Sequence, residues 1–281
     1  MKPDGFFDVP RVGMRTTEGP VEVPMFFYDV AVRRLDYFVD YAAASAKLEG
    51  TGLEPCRFST GKAMALLIFF QYRDVSIGAY DEVTIVIPCF PGSFKDPKFY
   101  IPNLFKRNGQ AWTIGGYVLE MPVTIPEARA AGREIWGYPK FETRIPFRLT
   151  RKDFEFGVLD PECGDTIFDV RGSLGPGLTV KASDMVTFGN HEDTIIKTIT
   201  EVDGRFKDCI CRDIHMEMGS VDHRMSRNLK DLGMDRLKPF IVETSDSVRT
   251  RLCKGWPVAY WKTPPMPYPV EGEGPATLIG P

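Results

Sequence analysis

The sequence predicts an α+β protein built mainly on antiparallel sheet or a closed barrel. Strand-like apolar runs follow one another through the middle of the chain, turn residues separate them at short intervals, and few stretches have helical periodicity. Short intervals of this kind favour hairpin connections over βαβ units, whose crossovers need a dozen residues or more. The first 24 residues, rich in Pro, Gly and charge, read as an extended arm. In "RLDYFVDYAAASAKLEG", 34 to 50, Leu35, Phe38, Val39, Tyr41 and Ala42 suggest the apolar face of a helix that Gly50 stops. Strand-like runs follow at 64–72, 81–90, 112–123, 141–150 and 153–160, then at 177–183 and in parts of 194–221. Pro126 opens a helix over "EARAAGREIW", since proline is favoured at the first helical position. A further helix is expected over 224–233, ended by Gly233. The expected organisation is one α+β domain over 25–262, with arms at 1–24 and 263–281. The Pro/Gly-rich tail is expected to be irregular and to lie across a neighbour.

Composition bounds the function. The chain has 281 residues, 43% hydrophobic and 26% charged, as expected of a folded globular protein. Net charge is -3, and lysines and arginines are scattered, so the footprint of a nucleic-acid binder is missing. The longest apolar run, "AMALLIFF", is too short to span a bilayer, and the N-terminus lacks the apolar core of a signal peptide. The six cysteines are widely spaced and read as small buried hydrophobes in a reducing cytosol. His191, His215 and His223 show no metal-ligand spacing, so no metal is expected. "GSLGPG", 172 to 177, lacks the Lys-Ser/Thr ending of a phosphate loop and reads as a turn.

The segment "GREIWGYPKFETRIPF", 132 to 147, raises the chemical question. Its only lysine, Lys140, stands among Trp136, Tyr138, Pro139 and Phe141. By alternation Lys140, Glu142 and Arg144 share a face, which describes a solvated strand. The other reading is a dry amine. A lysine with the usual pKa of about 10.4 is protonated at neutral pH, and burial in an apolar site favours its neutral, nucleophilic form.

The chain here resembles the acetoacetate decarboxylase-like superfamily. "EARAAGREIWGYPKF" is similar to that family's A-x-G-R-E-…-Y-P-K signature, with Lys140 at the Schiff-base position. "GAYDE", 78 to 82, resembles a Gly-x-Tyr-x-Glu segment that places Glu82 at the active-site carboxylate. "GGYVLEMPV" and "LKDLGMDRLKPFIV" are similar to further segments, in the same order. The resemblance implies a mainly antiparallel sheet curled into a cone or barrel with helices packed outside, and assembly as a homo-oligomer. It implies a cofactor-free enzyme acting on a small keto acid, with Lys140 as nucleophile and Glu82 as proton-transfer partner. Acetoacetate decarboxylase is the established example of a lysine activated by desolvation or a neighbouring cation. Two departures stand out. Decarboxylating members follow the reactive lysine with a second lysine, where this chain has Phe141, and the carboxylate they carry on the earlier strand falls near Ile68 and is absent here. The amine is preserved, and the alternatives are decarboxylation, aldol condensation with dehydration through the same enamine, or a non-catalytic site for an apolar ligand. On the residues alone, Glu82 is either a proton carrier or a strand-edge residue beside Asp81. Arg133 either binds a substrate carboxylate or pairs with Glu134 at the helix end. Tyr80 and Tyr117 either line the pocket or fill the core, and Trp136 and Phe141 are candidate pocket walls.

Overall fold

In a computed structural model describing residues 5–58, 61–94 and 109–279, seven strands close into a ring. Its members are β3 (Met25–Asp40), β5 (Lys62–Val75), β6 (Tyr80–Pro91), β7 (Gly115–Val123), β12 (Met185–His191), β13 (Thr194–Asp203) and β15 (Ile241–Leu252). Closure comes from pairing of β13 with β15, from Thr200↔Leu252 to Asp203↔Arg249. All contacts around the ring are antiparallel except that between β7 and β12. A barrel leaves no unpaired edge, which suits long strands of this hydrophobicity. From β15 the sheet continues outward through β14 (Arg205–Met218), β11 (Thr166–Lys181), β10 (Asp153–Leu159) and β9 (Phe147–Leu149). The short β4 (Leu53–Pro55) pairs β6, β8 (Lys140–Glu142) lies parallel to the end of β7, and β16 (Trp256–Tyr260) pairs β13.

Period-two alternation builds two apolar layers on opposite faces of the β5–β6 ladder. Ala63, Ala65, Leu67 and Phe69 are wholly buried in one, with Ile85 and Ile87 from β6 and Phe154, Phe156 and Phe168 from the outer strands. Ile68 and Phe70 face the other, with Val30, Val32, Met121, Val123 and the helix that precedes Lys140. Burying each such aliphatic or aromatic side chain stabilises the fold by about 1.5–3 kcal/mol. No described helix is long and apolar enough to cross a membrane.

Several expectations are corrected. Residues 34–40 belong to β3, and the helix α1 runs only over Tyr41–Leu48. Leu35, Tyr37 and Val39 are each 0% exposed whereas Phe38 is exposed, so the alternation of a strand outweighs the spacing that resembled a helix. Asp40 starts the helix by accepting from the amides of Ala42 and Ala43. The run 141–150 divides into β8 and β9. "GSLGPG" is not a turn but lies inside β11, where the register with β14 slips. A Cβ at Gly175 or Gly177 would stand 2.2 Å from the carbonyl oxygens of Ile210 or Asp208, so glycine permits the close strand approach. The first arm contains a hairpin, β1 (Val12–Thr16) with β2 (Gly19–Val23), and β17 (Thr277–Leu278) from the tail pairs β1. The tail therefore lies across its own chain. Helices α2 (Pro126–Trp136) and α3 (Arg224–Asp231) form as expected, with Pro126 at the start of the first. Of the described cysteines, Cys56, Cys89 and Cys209 are buried, but Cys163 is exposed in a turn held by Asp160.

Candidate active site

Helix α2 sets the position of Lys140. It ends at Gly137, whose φ of 67° only glycine adopts readily, and whose missing Cβ would lie 2.4 Å from the Asn190 carbonyl oxygen. The chain turns there, passes through Tyr138 and Pro139, and enters β8 with Lys140 opposite Met121. Trp136 and Tyr138 stack with ring centroids 6.2 Å apart. The Trp136 indole donates to the Cys253 carbonyl, and the Tyr138 hydroxyl bonds Thr187 at 2.7 Å. These contacts fix both flanks of the turn.

The lysine side chain crosses α2 at Gly132. A Cβ there would stand 2.4 Å from both Cδ and Cε of Lys140. Beyond that gap Nζ donates to Glu82 Oε2 at 2.8 Å, with Lys140 6% and Glu82 3% exposed. The solvated-strand reading of Lys140 fails on this burial. Register explains the meeting. Glu82 pairs Phe70 on one side and Val123 on the other, so it shares the Lys140 face. Nζ also lies 5.5 Å from the Tyr80 ring centroid. The other oxygen of Glu82 accepts from the Tyr72 hydroxyl at 3.2 Å.

Burial, reinforced by the charge of Glu82, holds the Tyr72 and Tyr80 phenols well above their ordinary range. Burial likewise pushes Tyr138 up to about 12. All three remain protonated donors at neutral pH. The arrangement supplies a buried amine, a carboxylate within proton-transfer distance of it, and phenolic walls.

The remaining sequence candidates divide. Arg133 Nη1 donates to the carbonyl of Lys140 at 2.9 Å and to that of Pro267 at 3.1 Å, while Nε pairs Glu273. It thus grips the backbone of the lysine and the tail, not Glu134. Glu134 instead accepts from the backbone and hydroxyl of Thr17. Trp136 stacks on Tyr138 and gives its indole N–H to the Cys253 carbonyl. Tyr117 and Phe141 face the opposite apolar layer, where the Phe141 ring meets Tyr268 at 4.4 Å and His223 at 5.1 Å. Alternation along a three-residue strand sends Lys140 and Phe141 to opposite sides. Two participants escaped the sequence reading, Tyr72 and Gly132's role as the lysine channel. A cleft of about 750 Å³ bordered by Tyr41, Tyr260 and Trp261 shares no residue with this site. No group of three or more metal-ligating side chains occurs among the described residues.

Behind β7 lies a second buried carboxylate. Glu120 is 0% exposed and accepts from Arg224 at 2.6 Å, from Asn228, and from the Tyr268 hydroxyl at 2.8 Å. Burial pushes it up to about 7 against the opposing pull of Arg224, Tyr268 and Asn228. A raised carboxyl pKa means that the folded chain keeps a proton the unfolded chain has already released. The stability it contributes is complete below about pH 4.5 and is lost as pH rises through 7. Glu120→Gln is expected to remove that loss, on the order of 3 kcal/mol at most. Denaturation midpoints at pH 5 and pH 8 check it, and equal slopes for variant and parent would contradict it.

A closed, mainly antiparallel barrel thus buries a lysine–carboxylate pair among phenols. The family model for acetoacetate decarboxylase (ADC) matches residues 10–228, and the chain belongs to that family. Solved structures agree on the fold. An acetoacetate decarboxylase-like enzyme from Sphingomonas wittichii RW1 is 14% identical with a TM-score of 0.59, covering 84% of this chain and 93% of its own. Acetoacetate decarboxylase from Legionella pneumophila subsp. pneumophila str. Philadelphia 1 is 15% identical with a TM-score of 0.59, covering 84% and 88%. The enduracididine biosynthesis enzyme MppR, complexed with the condensation product of pyruvate and imidazole 4-carboxaldehyde, is 12% identical with a TM-score of 0.58, covering 85% and 91%. No curated protein matches the chain.

Proposed function

We propose that this protein is a cofactor-free lyase that forms an imine between Lys140 and a small keto acid, with decarboxylation of a β-keto acid as its reaction. The observation that carries the reading is the 2.8 Å contact between Lys140 Nζ and Glu82 Oε2 in a buried setting. Transfer of one ammonium proton to Glu82 leaves a neutral amine, which adds to the ketone carbon. Glu82 returns the proton to the hydroxyl, which departs as water. The resulting iminium draws the electrons of the bond to the carboxylate, carbon dioxide leaves, and the enamine is protonated at carbon. Water then releases the ketone and regenerates the amine. A second reading, aldol condensation and dehydration on a pyruvate-like keto acid, uses the same enamine. Its ground is the departure from the family pattern at Phe141, where decarboxylating members carry a second lysine.

Acetoacetate and, separately, pyruvate with an aldehyde are the probes. Release of carbon dioxide and acetone, with one acetoacetate-derived group fixed per chain by borohydride, is the expected result. Condensation with pyruvate alone would move the assignment to the second reading. Folded protein inert to both would overturn the enzymatic reading and leave a binder of an apolar ligand.

A further inference from the structure

The glutamate of the reacting pair has two oxygens and two donors. Oε2 accepts from Lys140, and Oε1 accepts from Tyr72. Without the second donor, the carboxylate is free to rotate about its terminal torsion, which has a broad, roughly two-fold profile. With it, the plane of the carboxylate is fixed and one oxygen is aimed at the amine. Pairing of Phe70 with Glu82 and of Tyr72 with Tyr80 makes Tyr72 the diagonal neighbour of Glu82, within reach of a long side chain. The ring itself is clamped: Phe70 stacks on it at 5.3 Å with an interplanar angle of 6°, Tyr80 lies at 4.6 Å and Phe27 at 4.8 Å. Its hydroxyl therefore has a defined direction.

We propose that Tyr72 is a positioning residue, holding Glu82 in the orientation that lets it exchange a proton with Lys140. The proposal rests on the reading of Lys140 and Glu82 as the reacting pair. The titratable groups facing Glu82 are Lys140 from β8, Tyr72 from β5, Tyr80 from its own strand, and Tyr138 from the turn after α2. Lys140 and Tyr72 are the two that bond it. Loss of the Tyr72 donor frees the carboxylate to turn, so that an oxygen is no longer held towards Nζ of Lys140.

Tyr72→Phe keeps the ring and removes only the hydroxyl. Turnover should fall by about tenfold at neutral pH with a smaller change in KM. A second measurement needs no substrate. Infrared difference spectra against Glu82→Gln isolate the Glu82 carboxylate stretch, and loss of its hydrogen-bond donor should shift that band in Tyr72→Phe. A band that stays in place, with the variant folded as the parent is, would overturn the positioning role. An enzyme that fixes no acetoacetate or pyruvate under borohydride but shows the infrared shift would instead sink the reaction assigned to the pair and leave the geometry of Glu82 standing.

Discussion

Gly132→Ala is expected to lower turnover by about a hundredfold while changing thermal stability little. The added methyl would sit 2.4 Å from Lys140 Cδ and Cε, far inside van der Waals contact. The lysine chain is flexible and must move, because α2 is held at its end by the Gly137 turn and by the bonds of Trp136 and Tyr138. Gly132 has ordinary helical geometry, so alanine there favours the helix by about 1 kcal/mol, offsetting part of the cost of moving the side chain. A shift of about 1 Å in a reacting group is enough for a loss of about a hundredfold. Melting curves and turnover measured on the same preparation check the result. Unchanged activity would contradict the path assigned to the lysine.

Removing Glu82 should cost stability as well as activity. Glu82→Leu leaves an ammonium 6% exposed, among rings, with its carboxylate gone. Breaking a buried pair by deleting one partner costs about 3–5 kcal/mol. The double variant Glu82→Leu/Lys140→Met removes both charges and should recover most of that loss, since an apolar pair of similar volume avoids the desolvation penalty. Denaturant titration of the single and double variants decides it. If the single variant is as stable as the parent, the lysine does not depend on Glu82 for its partner. Both variants should be inactive, so stability and chemistry are read separately.

Much of this was legible in the residues, for physical reasons that differ between elements. The central strands showed themselves because β5 and β6 are buried on both faces and read as continuous apolar runs. Helix α2 announced itself through Pro126. The burial of Lys140 followed from the ring-bearing residues around it only with the family resemblance added, since alternation alone favours a solvated face. The helix placed over 34–50 fails for its first seven residues because Leu35 and Val39, four apart, fit a helical spacing as well as an alternating one. The tail was illegible: Glu273 and Tyr268 find their partners, Arg133 and Glu120, far away in sequence, and no local pattern encodes that. Tyr72 was missed for a related reason. Its contact with Glu82 depends on the β5–β6 register, which the turn residues between the strands do not specify.

The account stands on one amine. The direct measurement is peptide mapping after borohydride reduction of the protein with acetoacetate, comparing Lys140 with Lys197, the other lysine buried among the described residues. Burial lowers the pKa of Lys197, and its ammonium is occupied by the carbonyls of Gln110 and Trp112, at 3.0 and 2.6 Å. The account predicts a substrate-sized adduct on the peptide containing Lys140 and none on Lys197, abolished by Lys140→Ala. An adduct on Lys197, or one that persists without Lys140, would contradict it.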